Sequence, residues 1–95
     1  MSVAQANPQG LDDRGLERRI AEILIAELKL ENVTADSFDP MLSLVDELGI
    51  DSMDLTTVAL VFQDEFRITI DEDDYPRLKN VRAIREYVRS KLGAA

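Results

Sequence analysis

Three stretches of this chain space their apolar residues with the period of an α-helix, and no two stretches alternate like paired β-strands. Leu16, Ile20, Ile23, Leu24 and Leu28 form one stripe. Met53, Thr56, Val58, Ala59, Val61, Phe62 and Phe66 form a broader face, and Val81, Ile84, Tyr87, Val88 and Leu92 a third. Residues three and four apart share one side of a helix, so each stretch has a face to bury. Ile68 and Ile70 alternate with Arg67 and Thr69, but a lone strand has no partner to pair with, and an extended linker with two buried side chains is expected. Ninety-five residues support a single core. With 45% hydrophobic residues, 5% aromatic and no Trp, that core must be built from Leu, Ile and Val. The fold class expected is all-α: a small four-helix bundle with three longer helices and one short third helix.

Local signals set the boundaries. Residues 1–11 are small and polar, with Pro and Gly, and read as a disordered N-terminal tail; the domain is expected to span 12–93. The first helix should start near Asp12 or Asp13 and fade around Leu30 to Asn32, with Arg18, Arg19, Glu22 and Lys29 facing solvent. Residues 33–50 form a long connection with a turn at Asp39-Pro40. Phe38, Met41, Leu42, Leu44, Val45 and Leu48 are apolar enough to pin it onto the bundle, and Gly49 suits a left-handed residue at the end of a turn. The second helix should run from Ser52 to Phe66, with Asp51 as N-cap and Asp54 completing a capping box. Its outer side would hold Asp54, Thr57, Gln63 and Asp64, with Leu60 at the boundary. Asp71 to Asp74 place negative charge at the start of the short third helix, which Pro76 restricts. The last helix is expected from Val81 to Leu92, with Arg89 and Lys91 in its final turn and Gly93 ending it.

Composition removes several classes of function. There is no Cys and no His, hence no thiolate, no disulfide, and neither the commonest general base nor the commonest metal ligand. Ser52 has no base near it in sequence and no G-x-S-x-G elbow, so a nucleophilic enzyme is not indicated. Asp71 begins like a calcium loop, but Pro76 stands where glycine is needed and Arg82 where a glutamate is needed. No metal site is therefore expected. No run of 18 apolar residues is present, and the start of the chain lacks a signal-peptide pattern, so a cytoplasmic protein with no membrane span is expected. The net charge of −8 argues against nucleic acid. It is unevenly spread: residues 46–74 carry ten acids and one base, whereas residues 75–95 carry six bases and one acid. The acidity gathers around and after Ser52, a field that can steer a basic partner or simply keep a small domain in solution. Ser52 itself stands at a helix start, where free backbone N–H groups and the helix dipole favour an added anionic group. Taken alone, the serine reads first as a plain helix-start residue, which is common.

Its surroundings distinguish the two readings. The stretch LVDELGIDSMDLTTVALVFQDEFRITI, residues 44–70, resembles the central region of acyl carrier proteins. The elements that match are Leu48-Gly49, Asp51-Ser52-Met53-Asp54, and Asp64-Glu65-Phe66 followed by Ile68 and Ile70. The match runs on through Asp71 to Leu78, Val81 and Tyr87-Val88. The resemblance implies a bundle whose Ser52 carries 4′-phosphopantetheine, attached by a phosphopantetheinyl transferase from coenzyme A. The thiol of that arm would hold an acyl or aminoacyl group as a thioester, which accounts for a chain with no cysteine of its own. It also implies that Asp51, Asp54 and Asp64 are acidic docking positions, and Met53 and Leu60 apolar ones, for acyl- or aminoacyl-loading and acyl-processing enzymes with basic patches. A non-catalytic monomer serving fatty-acid, polyketide or related biosynthesis is the expectation. The alternative is an unmodified acidic helical module that binds a basic partner.

The chain departs from the family pattern in places. Thr57 and Gln63 stand where typical carriers of fatty-acid synthesis have glutamates. The connection before Ser52 is about five residues longer, around Ser37 to Met41. Tyr75 and Pro76 replace small or acidic residues in the short helix that borders the acyl pocket in that family. The last helix is unusually basic, and the G-G-x-S core of peptidyl carriers is absent. These features imply a specialised carrier.

Overall fold

The computed structural model describes residues 12–93, and the expected tail lies outside the described residues. The first helix, α1 (Asp13–Leu28), starts where a carboxylate can take a free backbone amide. Asp12 is extended and accepts the Gly15 N–H at 2.7 Å. The helix stops short of Leu30 because Lys29 turns left-handed (φ 54°), which lets the N–H groups of Lys29 and Leu30 both reach the Ile25 carbonyl. Helix α2 (Ser52–Phe66) ends the same way: Arg67 is left-handed (φ 58°) and the Ile68 N–H returns to the Gln63 carbonyl. Residues 68–71 form neither helix nor strand, and no strand forms among the described residues; Ile70 is buried and Ile68 half-buried. A 3-10 helix (Glu72–Arg77) follows, held by i→i−3 bonds from Asp74 to Asp71 and from Leu78 to Tyr75. Pro76 lies inside it and lacks the N–H that a regular helix would use there. Helix α3 (Val81–Gly93) completes the bundle.

α1 packs against both α2 and α3, and the 3-10 helix touches the latter two. Leu16, Ile20 and Leu24 meet Val58, Phe62 and Phe66 of α2 and Ile84 and Val88 of α3 in one core, all essentially sealed from solvent. Each such side chain contributes about 1.5–3 kcal/mol through burial. No polar or charged residue is buried among the described residues. Met53 lies off this face: it is 77% exposed. Helical spacing placed it with the core, but at the second residue of α2 no neighbouring element covers it.

Ion pairs join α1 to α2 and α1 to α3. Arg19, expected in solvent, lies half-buried against α2 and holds Glu65 with both ends of its guanidinium, at 2.7 and 2.9 Å. Arg19 holds the Glu65 carboxyl below its ordinary value. A carboxylate so held stabilises the fold above its ordinary pKa, and that contribution is lost as pH falls through the lowered value. Arg19→Met is therefore expected to flatten the acid limb of stability, with a cost at neutral pH under about 1 kcal/mol because the pair is partly exposed. Urea midpoints measured down a pH series check this; an unchanged acid limb would count against it.

The pairs between α1 and α3 account for the basic last helix. Arg85 meets Glu17 at 2.9 Å, Arg89 meets Asp13 at 3.3 Å, and Arg82 stands 3.7 Å from Glu17. Much of the positive charge of α3 is thus turned onto α1. Tyr87 ties the 3-10 helix down: its hydroxyl donates to Asp74 at 2.7 Å, while Arg77 and Lys91 lie 4.9 and 5.5 Å from its ring centroid. Burial, together with the bond to Asp74, pushes the Tyr87 phenol up to about 12.

Candidate functional site

The connection from residue 33 to 50 is anchored at several points. Asp39 accepts the Met41 N–H on its side chain and the Leu42 N–H on its carbonyl, which closes the turn at Pro40. The Pro40 carbonyl takes the Arg82 N–H at 3.0 Å, and the Leu44 N–H reaches the Lys79 carbonyl at 2.9 Å. The segment is thereby fixed along the start of α3, with Phe38 and Leu44 buried beneath it. Met41 and Val45 do not pin it: each is 56% exposed. The apolar count of the segment was legible, but which members turn inward was not, because the segment has no period.

Residues 44–48 form a turn, and Gly49 follows in the left-handed region at φ 70°. An L side chain there would meet no neighbour, but would carry about 1–2 kcal/mol of backbone strain. The turn returns the Ile50 N–H to the Leu44 carbonyl at 3.2 Å and buries Ile50. Asp51 then caps α2. Its carboxylate accepts the Asp54 N–H at 2.9 Å, and the Asp54 carboxylate accepts the Asp51 N–H at 3.3 Å, forming a complete capping box.

Ser52 is the first residue of this capped helix and is exposed. Its own amide and that of Met53 precede the first intrahelical bonds and have no carbonyl within the helix to meet. The hydroxyl thus stands beside unsatisfied donors at the positive end of the helix dipole, where a phosphate ester is favoured. The site therefore fits a phosphate-linked arm.

The other expected residues are divided between two tasks. Asp51 and Asp64 are exposed, Leu60 is 55% exposed, and Asp54 is half-buried in its cap. Thr57 is exposed but bonds back to the Met53 carbonyl at 3.0 Å. Gln63, expected on the outer side, turns toward the linker: its carbonyl oxygen accepts the Ile70 N–H at 2.7 Å. Periodicity fixes the angle at which a residue leaves the helix, not where a long side chain ends. Gln63→Leu is expected to leave the partly buried Ile70 amide unpaired and to cost about 1–2 kcal/mol in urea denaturation; an unchanged midpoint would show that water replaces the bond. Among the described residues, no group of three acidic side chains is placed to hold a metal ion. A surface groove of about 570 Å3 lies between the start of α1, residues 35–40 and Val81, and no α2 residue lines it.

Comparison with known proteins bears on the same region. The family described as "Phosphopantetheine attachment site" matches residues 18–88, which include Ser52 and all of α2. An acyl carrier protein of Nitratidesulfovibrio vulgaris (strain DSM 19637 / Miyazaki F) is 34% identical over 76 residues, covering 80% of this chain and 96% of that protein. The acyl carrier protein of Syntrophus aciditrophicus (strain SB) is 31% identical over 74 residues, covering 78% of this chain and 89% of its own length.

Proposed function

The chain belongs to the phosphopantetheine-carrying acyl carrier protein family, and on that premise we propose that Ser52, within a carrier domain spanning 12–93, is the residue that bears the arm. The observation that carries this is the placement of an exposed hydroxyl on the first residue of a helix whose cap is otherwise complete. In the loading step the Ser52 oxygen bonds to the phosphorus that carries the pantetheine of coenzyme A. The diphosphate bond breaks, adenosine 3′,5′-bisphosphate leaves, and the hydroxyl proton passes to a base of the phosphopantetheinyl transferase. The bound arm supplies the thiol that holds an acyl or aminoacyl group as a thioester. The protein performs no catalysis of its own and acts as the substrate of other enzymes.

The chain's own contribution is presentation. The capping box keeps Asp51 and Asp54 beside Ser52, and Asp64 adds charge further along α2, so this surface suits basic patches on loading and processing enzymes. Met53 and Leu60 offer apolar contacts between those charges. No helix among the described residues is long and apolar enough to cross a membrane. The role proposed is that of a cytoplasmic monomer in fatty-acid, polyketide or related biosynthesis.

Incubation with coenzyme A and a broad-specificity phosphopantetheinyl transferase is expected to add one arm per chain, read by intact mass. A chain that gains no mass would overturn the assignment and favour an acidic docking module that is never modified.

A further inference from the structure

The chain has three methionines and no cysteine, so all the sulfur it carries of its own is thioether. Met1 lies outside the described residues. Met41 and Met53 are each more than half exposed, and Met53 is the more open of the two. Methionine usually fills irregular gaps in a core, where packing shelters its sulfur. Neither of these two is sheltered in that way.

Met53 differs from Met41 in where it stands. It follows Ser52 directly, so the two Cα atoms are about 3.8 Å apart. It is the second residue of α2, and the Cα–Cβ bonds of a helix tilt toward its N-terminus, the end at which Ser52 stands. We propose that Met53 is an oxidation site that governs loading of the arm: a hydroperoxide converts its thioether to the sulfoxide, and the sulfoxide form is a poorer substrate for the phosphopantetheinyl transferase. The proposal rests on the reading of Ser52 as the attachment residue.

The chemistry needs only the peroxide. A bond forms between the sulfur and one peroxide oxygen as the O–O bond breaks. Sulfur gives up two electrons and the peroxide takes them. The proton on the transferred oxygen passes to the departing one, which leaves as water or, from an organic hydroperoxide, as an alcohol. A flexible apolar side chain thereby becomes polar, with a strong acceptor oxygen. A transferase that takes the Ser52 hydroxyl into its active site also covers the side chain next to it. Burying the new oxygen there without a donor opposes that contact. The fold has no stake in the change, because Met53 lies outside the core. Loading gives this cysteine-free chain its first thiol, so the sulfoxide withholds that thiol while peroxide persists.

The test is steady-state transfer from coenzyme A to the full chain by a broad-specificity transferase, for wild type, Met41→Leu and Met53→Leu, each before and after treatment with hydrogen peroxide. The peroxide is removed before coenzyme A is added, and peptide mass mapping locates the added oxygen. The expected result is oxygen on Met53 and a kcat/KM lowered about fivefold by peroxide in wild type and in Met41→Leu. In Met53→Leu, treatment leaves kcat/KM where it stood. Methionine sulfoxide reductases A and B together, one for each sulfoxide epimer, return oxidised wild type to its starting value. The urea midpoint of wild type is expected to be the same before and after oxidation; a midpoint that falls with the loading rate would assign the effect to folding and overturn the proposal. If untreated wild type is loaded, but Met53 takes up no oxygen or the oxidised chain is loaded as fast, the oxidation site falls and the attachment reading stands. If untreated wild type gains no arm, both fall.

Discussion

Ser52→Ala abolishes arm attachment completely while leaving the bundle as stable as before. Both halves of this expectation follow from the structure. The hydroxyl is exposed, and the cap of α2 is made by Asp51 and Asp54, not by Ser52. Its backbone carbonyl accepts the Thr56 hydroxyl at 2.9 Å, a bond that survives the change. Alanine is also the better helix former, by a few tenths of a kcal/mol. A variant with an unchanged urea midpoint and no mass gain would separate attachment from folding cleanly. Mass gain persisting in Ser52→Ala would move the arm to another hydroxyl and refute the assignment.

Phe62→Ala carries the largest expected cost to the fold. Phe62 is fully buried, with its ring centroid 6.1 Å from that of Phe66. Its removal takes away burial and leaves a cavity between helices that pack too closely to collapse into it, for a cost of about 3–5 kcal/mol. A domain of this size is stable by only about 4–12 kcal/mol. The variant is therefore expected to unfold at much lower urea and to approach the unfolded baseline at warm temperatures. Its arm loading should fall in proportion to the unfolded fraction, a pattern distinct from the total loss in Ser52→Ala. A loss below about 1 kcal/mol would show that the core repacks around the gap.

The sequence was most legible where one local rule decides the outcome. The Asp51 and Asp54 spacing foretold a capping box, and Gly49 a left-handed turn, because each depends on residues within reach of one another along the chain. The span from Ser52 to Phe66 was legible for the same reason. What escaped was long-range. Arg19 reads as a solvent residue by period, yet its reach carries it to Glu65, 46 positions away. Gln63 points outward by its angle on α2 and folds back to the linker by its length. The basic last helix stood out as a departure from the family pattern, whereas Arg85 and Arg89 are matched to acids on α1 that only the packed bundle brings near. Met53 had two readings from spacing and motif, core or docking, and only the position of its neighbours separates them: it lies outside the core.

The placement of the two tyrosines has a practical consequence. The chain has no tryptophan, and both of its tyrosines lie at one junction: Tyr75 within the 3-10 helix and Tyr87 beneath it, bonded to Asp74. The protein thus carries a built-in optical reporter confined to that junction. Ultraviolet absorbance and tyrosine emission register whether the short helix is seated or lifted, without any label and without interference from the Ser52 end. A cargo that inserts beneath the short helix changes the signal, and one that stays in solvent leaves it silent. The molecule can therefore be asked spectroscopically where its cargo resides before the cargo itself has been identified.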